Sequence, residues 1–134
     1  MWISTRHVAG TVADTSVLIP YLGGADNQGL ERAIDDEMLV LSPLVVSELI
    51  SGAESGSDRA AIGELLQETP LHPTPLAHWI AVGELRRVLR TKGLRVSTPD
   101  AHIAQCALDR DAVLLTRDAI FRRMARHIPL RLAE

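Results

Sequence analysis

The chain is poor in aromatic side chains: Trp2, Tyr21, Trp79 and Phe121 make up 3% of its 134 residues. That excludes the stacking platform on which many single-strand nucleic-acid binders lay their bases. Cysteine is scarcer. Cys106 stands alone, so no disulfide can form within the chain, a reducing compartment is the simplest expectation, and the apolar run Ile103 to Leu108 around it reads as core. Lysine occurs once, as Lys92. A phospho-acceptor signalling domain, which sets a strand-end lysine beside its acids, therefore fits poorly. The five histidines, His7, His72, His78, His102 and His127, lack zinc-site spacing, and the glycines form no phosphate-binding loop. Long apolar runs are missing as well. Met1 to His7 is broken by polar residues and charge, which argues against a signal peptide or membrane span and makes a cytoplasmic protein with no membrane partner the expectation.

What is present suits one ordinary domain over residues 1–134, because 46% hydrophobic content allows a sizeable core without disulfide or metal staples. Charge is unevenly placed. The net charge of −3 combines an acidic first part with a basic second part in which Arg86 to Arg95 and Arg117 to Arg131 carry most of the cations. Arginine suits bidentate phosphate contacts, so this half is a candidate polyanion face; solvated helix faces are the plainer reading of the same residues.

Apolar runs of strand length alternate with segments of helical period, the pattern of βα units around a parallel sheet. Val8 to Ala13 is expected as the first strand, followed by a helix from Ser16 to Leu22 that Gly23-Gly24 stops. A second helix is expected over Gln28 to Glu37, a short strand over Met38 to Leu41, and a helix from Ser42-Pro43 to about Gly52. Ser57-Asp58-Arg59 opens another helix, which ends before an extended, proline-rich Thr69 to Pro75. Leu76 to Thr91 is the longest helical pattern. Thr98-Pro99-Asp100 is read as cap, proline and first-turn acid of a helix to about Asp109, Val113 to Leu115 as a buried strand, and Asp118 as the cap of a helix to about His127. Pro129 to Leu132 is expected to add an edge strand.

Asp14 and Asp118 each follow an apolar strand, at the sheet edge where open α/β folds bind ligands. Asp100 lies in a first helical turn, and Glu48 on a helix directly after the second strand. Each alone is explained by capping or by the helix dipole. Together they are a candidate metal site: crowded carboxylates repel one another unless a cation sits between them, and hard oxygen donors suit Mg²⁺, with Mn²⁺ as a substitute.

The blocks Val12 to Ile19, Val45 to Leu49, Pro99 to Ala104 and Leu114 to Asp118, followed by Phe121, resemble in order and spacing the PIN-domain nucleases, specifically the VapC-type toxins of bacterial toxin–antitoxin pairs. The resemblance implies a three-layer α/β/α domain with a central, mainly parallel sheet. It implies a catalytic quartet of Asp14, Glu48, Asp100 and Asp118, with the three aspartates as the metal holders. It further implies Mg²⁺-dependent endoribonuclease activity leaving a 5′ phosphate, a homodimer, and a small cognate antitoxin through which DNA is met only indirectly. Ser16 and Thr116 fall where the family often has hydroxyls near the acids, and Arg117 is the arginine expected nearest the RNA. The family often carries a second acid two residues after the position of Asp118, where Ile120 stands, and often a glycine near Asp111. Ile120 supports an alternative from another class, a catalytically weak scaffold or RNA-binding subunit. An aspartyl-phosphate phosphatase is disfavoured because Ser16 stands where that family has its second aspartate.

Overall fold

The computed structural model describes residues 10–133. Four short strands form an all-parallel sheet: β1 Thr11–Ala13, β2 Leu39–Val40, β3 Val113–Leu115 and β4 Arg131–Leu132, in the order β2-β1-β3-β4. Seven helices connect them: α1 Thr15–Leu22, α2 Gln28–Asp35, α3 Pro43–Gly52, α4 Gly56–Glu68, α5 Leu76–Thr91, α6 Thr98–Arg110 and α7 Ala119–Ala125. The chain moves outward from β1 to β2 and, on the other side, from β3 to β4. β1 and β3 are thus the central pair from which the winding departs in both directions, and the crevice beyond their carboxyl ends is where such sheets bind ligands.

The core runs through this central pair. Val12, Ala13 and Leu114 are fully buried, and α6 covers β1 and β3 with Ala101, Ile103, Ala104, Cys106 and Ala107. Small side chains let this helix lie close to the sheet, while α5 packs on its outer side through Val82, Leu85 and Leu89. Cys106 is buried, as its surroundings suggest. Gly10 permits the close approach that starts the sheet: at φ +112° its backbone passes so near Met38 that an added Cβ would lie 2.6 Å from the Met38 carbonyl oxygen. That same carbonyl accepts the Thr11 N–H at 2.8 Å.

The α/β class, the parallel sheet and every expected element are present, with several boundaries displaced. The residues Val8 and Ala9 of the expected first strand lie outside the described residues. α1 begins at Thr15 rather than Ser16, α2 stops at Asp35 because Glu37 takes a left-handed φ of 56°, and β2 is limited to Leu39–Val40. α4 begins at Gly56, since the Ser55 hydroxyl rather than residue 57 accepts the first-turn N–H of Asp58. The α6 cap is likewise Ser97, which accepts from Asp100 N–H, and not Thr98. α7 ends at Ala125 and β4 spans only Arg131–Leu132. The proline-rich segment is extended, and its Leu71 bridges Leu41 in parallel. At Asp111 the chain turns with φ 55°, so aspartate adopts the left-handed conformation that glycine usually supplies. Among the described residues no helix is long and apolar enough to cross a membrane.

Candidate active site

Asp14 ends β1 and stands before α1, in the N-cap position, but its carboxylate does not cap. Instead Oδ1 accepts the Ser16 hydroxyl at 2.6 Å and Oδ2 accepts the Thr116 hydroxyl at 2.7 Å. Each hydroxyl has one proton and donates it to Asp14, so their oxygens are left as acceptors. Ser16 Oγ takes the Arg117 N–H at 2.9 Å and Thr116 Oγ1 takes the Asp118 N–H at 3.0 Å. The loop after β3 is thereby stitched to the end of β1. Ser16 and Thr116 act as positioning groups for both aspartates.

Asp118 does serve as a cap, accepting the Ile120 N–H at 3.1 Å through Oδ1, which leaves Oδ2 unused by the helix. Asp100 arrives from the first turn of α6, and Glu48 from the exposed side of α3. The structure brings all four acids to the wall of one cavity of about 370 Å³, which Ile19, Pro99 and Phe121 also line. Among the described residues, no arginine, lysine or histidine lines it. The consequence is visible at Asp100: burial, together with the negative charges of Asp118 and Asp14, raises its pKa above the usual carboxylate value despite the opposing hydrogen bond at Ser97.

A divalent cation fits this donor set. Hard carboxylate oxygens surround a cavity with no positive side chain among the described residues to balance them, and two of Asp14's lone pairs are already held in place by hydroxyls. Compact groups of donor atoms, all within 4.8 Å of one another, lie elsewhere among the described residues. The wider acid arrangement suits an ion that keeps part of its water shell.

Arg117 is exposed beside Asp118, and its side chain has no partner among the described residues. Arg122, Arg123 and Arg126 are exposed on the following helix. Two of the other expected cations are occupied: Arg86 Nε donates to the Val96 carbonyl at 2.9 Å, and Arg87 pairs with Glu84 at 2.8 Å. For these two the plain reading, helix-surface and loop contacts, holds.

Sequence spacing led to the expectation that the histidines are scattered, and the fold corrects it. His72, His78 and His102 are buried together, and His72 and His78 meet the more exposed Asp109. His102 is an inward-facing member of this cluster: its Nε2 lies 2.6 Å from Ser42 Oγ and its Nδ1 2.7 Å from His78 Nε2. Residues 30 apart in sequence meet only because α5 packs along α6, so no local motif announced the cluster. The single advance signal was one-turn phasing: His102, Cys106 and Asp109 fall on neighbouring positions of one helix.

The PIN domain family model matches residues 11–127. Among solved structures, the fold is similar to VapBC2 from Rickettsia felis bound to a DNA fragment from its promoter, with 21% identity, 92% of this chain and 96% of that chain covered, and a TM-score of 0.76. It is similar as well to DNA-bound VapBC from Salmonella typhimurium, at 24% identity, 92% and 96% coverage and a TM-score of 0.74. VapBC-5 from Mycobacterium tuberculosis, a member of the VapBC family of toxin-antitoxin systems, matches at 21% identity, 94% and 98% coverage and a TM-score of 0.68. No curated protein sequence matches. With the family model spanning both central strands and all four acids, the chain belongs to the PIN-domain family.

Proposed function

We propose that this protein is the toxin of a toxin–antitoxin pair, an endoribonuclease that works in the cytoplasm with Mg²⁺, or Mn²⁺ in its place. The observation that carries the reading is the cavity walled by Asp14, Glu48, Asp100 and Asp118 with no basic side chain among its lining residues. Asp14, Asp100 and Asp118 are the residues to hold the ion. Bound there, the ion would supply an acidified water and neutralise charge on the phosphate. Glu48, on the exposed side of α3, is suited to orient a water from across the cavity. Ser16 and Thr116 fix the rotamer of Asp14, and Arg117 is placed to meet a backbone phosphate beside the scissile bond.

Two surfaces support the partners. Ile19, Leu22, Leu49, Ala53 and Ile62 of α1, α3 and α4 line an apolar cavity of about 210 Å³, and Ile19 lines the acid cavity too. An antitoxin helix seated there would lie against the entrance to the acids. Leu76, Trp79 and Ile80 are exposed apolar side chains in the first turns of α5, with Leu76 74% exposed, and together with exposed Leu71 of the preceding extended segment are the surface on which we place the homodimer.

The test is cleavage of a mixed-sequence RNA by the purified chain with Mg²⁺ or Mn²⁺ against EDTA, beside Asp14→Asn. Cuts that require metal and vanish in the folded variant are expected. Cleavage by Asp14→Asn equal to that of the parent would overturn the site.

A further inference from the structure

The histidine cluster lies apart from the acid cavity and has no part in the reaction proposed above. Asp109 Oδ2 lies 2.6 Å from His78 Nδ1 and 3.1 Å from His72 Nε2, so one carboxylate oxygen and two imidazole nitrogens converge on a single point. These three atoms lie within 4.8 Å of one another. They come from three separate pieces of chain: the extended segment between α4 and α5, the first turn of α5 and the last turn of α6. An open cleft of about 670 Å³ reaches them, bordered by Pro73, Pro75 and Arg110. Asp100 and Asp109 are nine residues apart on α6, so roughly 14 Å of helix separates this point from the acids.

We propose that His72, His78 and Asp109 form a second metal site, one for Zn²⁺, distinct from the acid cavity. Two neutral imidazoles and one carboxylate are a zinc donor set, whereas the all-carboxylate cavity suits Mg²⁺. Tetrahedral zinc with bonds of about 2.0–2.1 Å sets its donors roughly 3.3 Å apart, so the His72–Asp109 spacing of 3.1 Å is close to that and the His78–Asp109 spacing of 2.6 Å has to open by about 0.7 Å. The fourth position faces the cleft and is open to water.

The surroundings hold the donors in place. Gln105 Nε2 donates to Asp109 Oδ1 at 2.8 Å, which fixes the carboxylate and leaves Oδ2 for the ion. With zinc on His78 Nδ1, that ring's proton resides on Nε2 and is donated to His102 Nδ1; His102 Nε2–H is then donated to Ser42 Oγ. Zinc ligation thus reverses the direction of the chain and leaves none of these ring nitrogens unsatisfied. Arg110 opposes the site, because its NH1 lies 3.4 Å from His72 Nδ1, which carries a proton once Nε2 binds metal. Removing this cation is therefore expected to tighten binding.

The experiment uses the tag-free full chain, stripped of metal, with Zn²⁺ titrated by calorimetry and Co²⁺ as a spectroscopic probe. To silence the acids, a parallel chain carries Asp14→Asn and Asp118→Asn. We expect one Zn²⁺ per chain, an intense visible Co²⁺ spectrum of tetrahedral type, and a melting temperature raised by at least about 5 °C, all retained in the acid variant. His72→Gln and Asp109→Asn should each weaken binding at least about tenfold. Arg110→Gln, which leaves all three donor side chains in place, should tighten it severalfold and remains informative if the other variants fail to fold. No Zn²⁺ binding by the parent, binding lost with the acids, binding unchanged by His72→Gln, or affinity untouched by Arg110→Gln would each overturn the proposal.

Discussion

The acid cavity and the histidine cluster face opposite demands with similar residue types. In the cavity, Asp14, Glu48, Asp100 and Asp118 line a space without a basic side chain among the described residues, and the pKa of Asp100 is raised by burial and by its neighbours' charge. In the cluster, burial works to raise the pKa of Asp109 too, yet hydrogen bonds from Gln105, His78 and His72 outweigh it and hold the carboxyl below its ordinary value. Without metal the bonds there run in one direction: Ser42 O–H to His102, His102 N–H to His78, and His78 and His72 N–H to Asp109. An acceptor-only carboxylate at the end dictates every ring proton behind it. One region keeps its electrostatic cost for a cation to relieve, and the other satisfies its polar groups internally and adds to stability.

Changes that separate these roles rank as follows. Asp14→Asn should reduce RNA cleavage at least about 100-fold while leaving the denaturation midpoint unchanged or slightly higher, because it removes one repelling charge; parallel activity and urea-melting assays check both halves. Asp109→Asn should do the reverse, costing about 2 kcal/mol of stability with little loss of cleavage per folded molecule. A comparable loss, about 2 kcal/mol or more, is expected for Gly10→Ala, where positive φ and the Met38 carbonyl leave no room for a methyl group.

Acid should distinguish the regions as well. Burial depresses the pKa of His72 and of His102, the latter to about 4, against 6.5 in an unfolded chain. Below pH 6.5 the unfolded state therefore binds more protons, and the stability gained from neutral rings is lost as pH falls toward the folded values. Metal-free protein should lose roughly 2 kcal/mol between pH 7 and pH 5 from this source. Urea titrations at the two pH values measure it, and a flat profile would mean that the rings take up protons in the fold as readily as in the unfolded chain. At the bottom of the scale, Arg87→Ala removes only an exposed pair with Glu84 and should leave melting unchanged.

Much of the acid cavity was legible because its residues sit at punctuation points. Asp14 and Asp118 follow apolar strands, Asp100 follows a serine, threonine and proline start, and strand ends of a parallel sheet converge whatever the loops do. The helix caps slipped by one residue at Ser97 and by two at Ser55 because nearby hydroxyls compete for the same first-turn N–H. Burial of the histidines was not legible: His72 and His78 precede a helix crossing that joins them to Asp109, and no short-range spacing encodes which faces of α5 and α6 meet. Their burial is sustained by the hydrogen bonds of the cluster, which give each ring a polar partner. Cys106, read as a core residue, is one; burial pushes its thiol up to about 12.

The most direct test is a crystal of the protein soaked in Mn²⁺, with the ion located by its anomalous scattering. An ion among Asp14, Asp100 and Asp118 is the expected result. An ion bound only at His72, His78 and Asp109, or none in a crystal whose acid cavity is open to solvent, would contradict the assignment of the acids as the catalytic metal site.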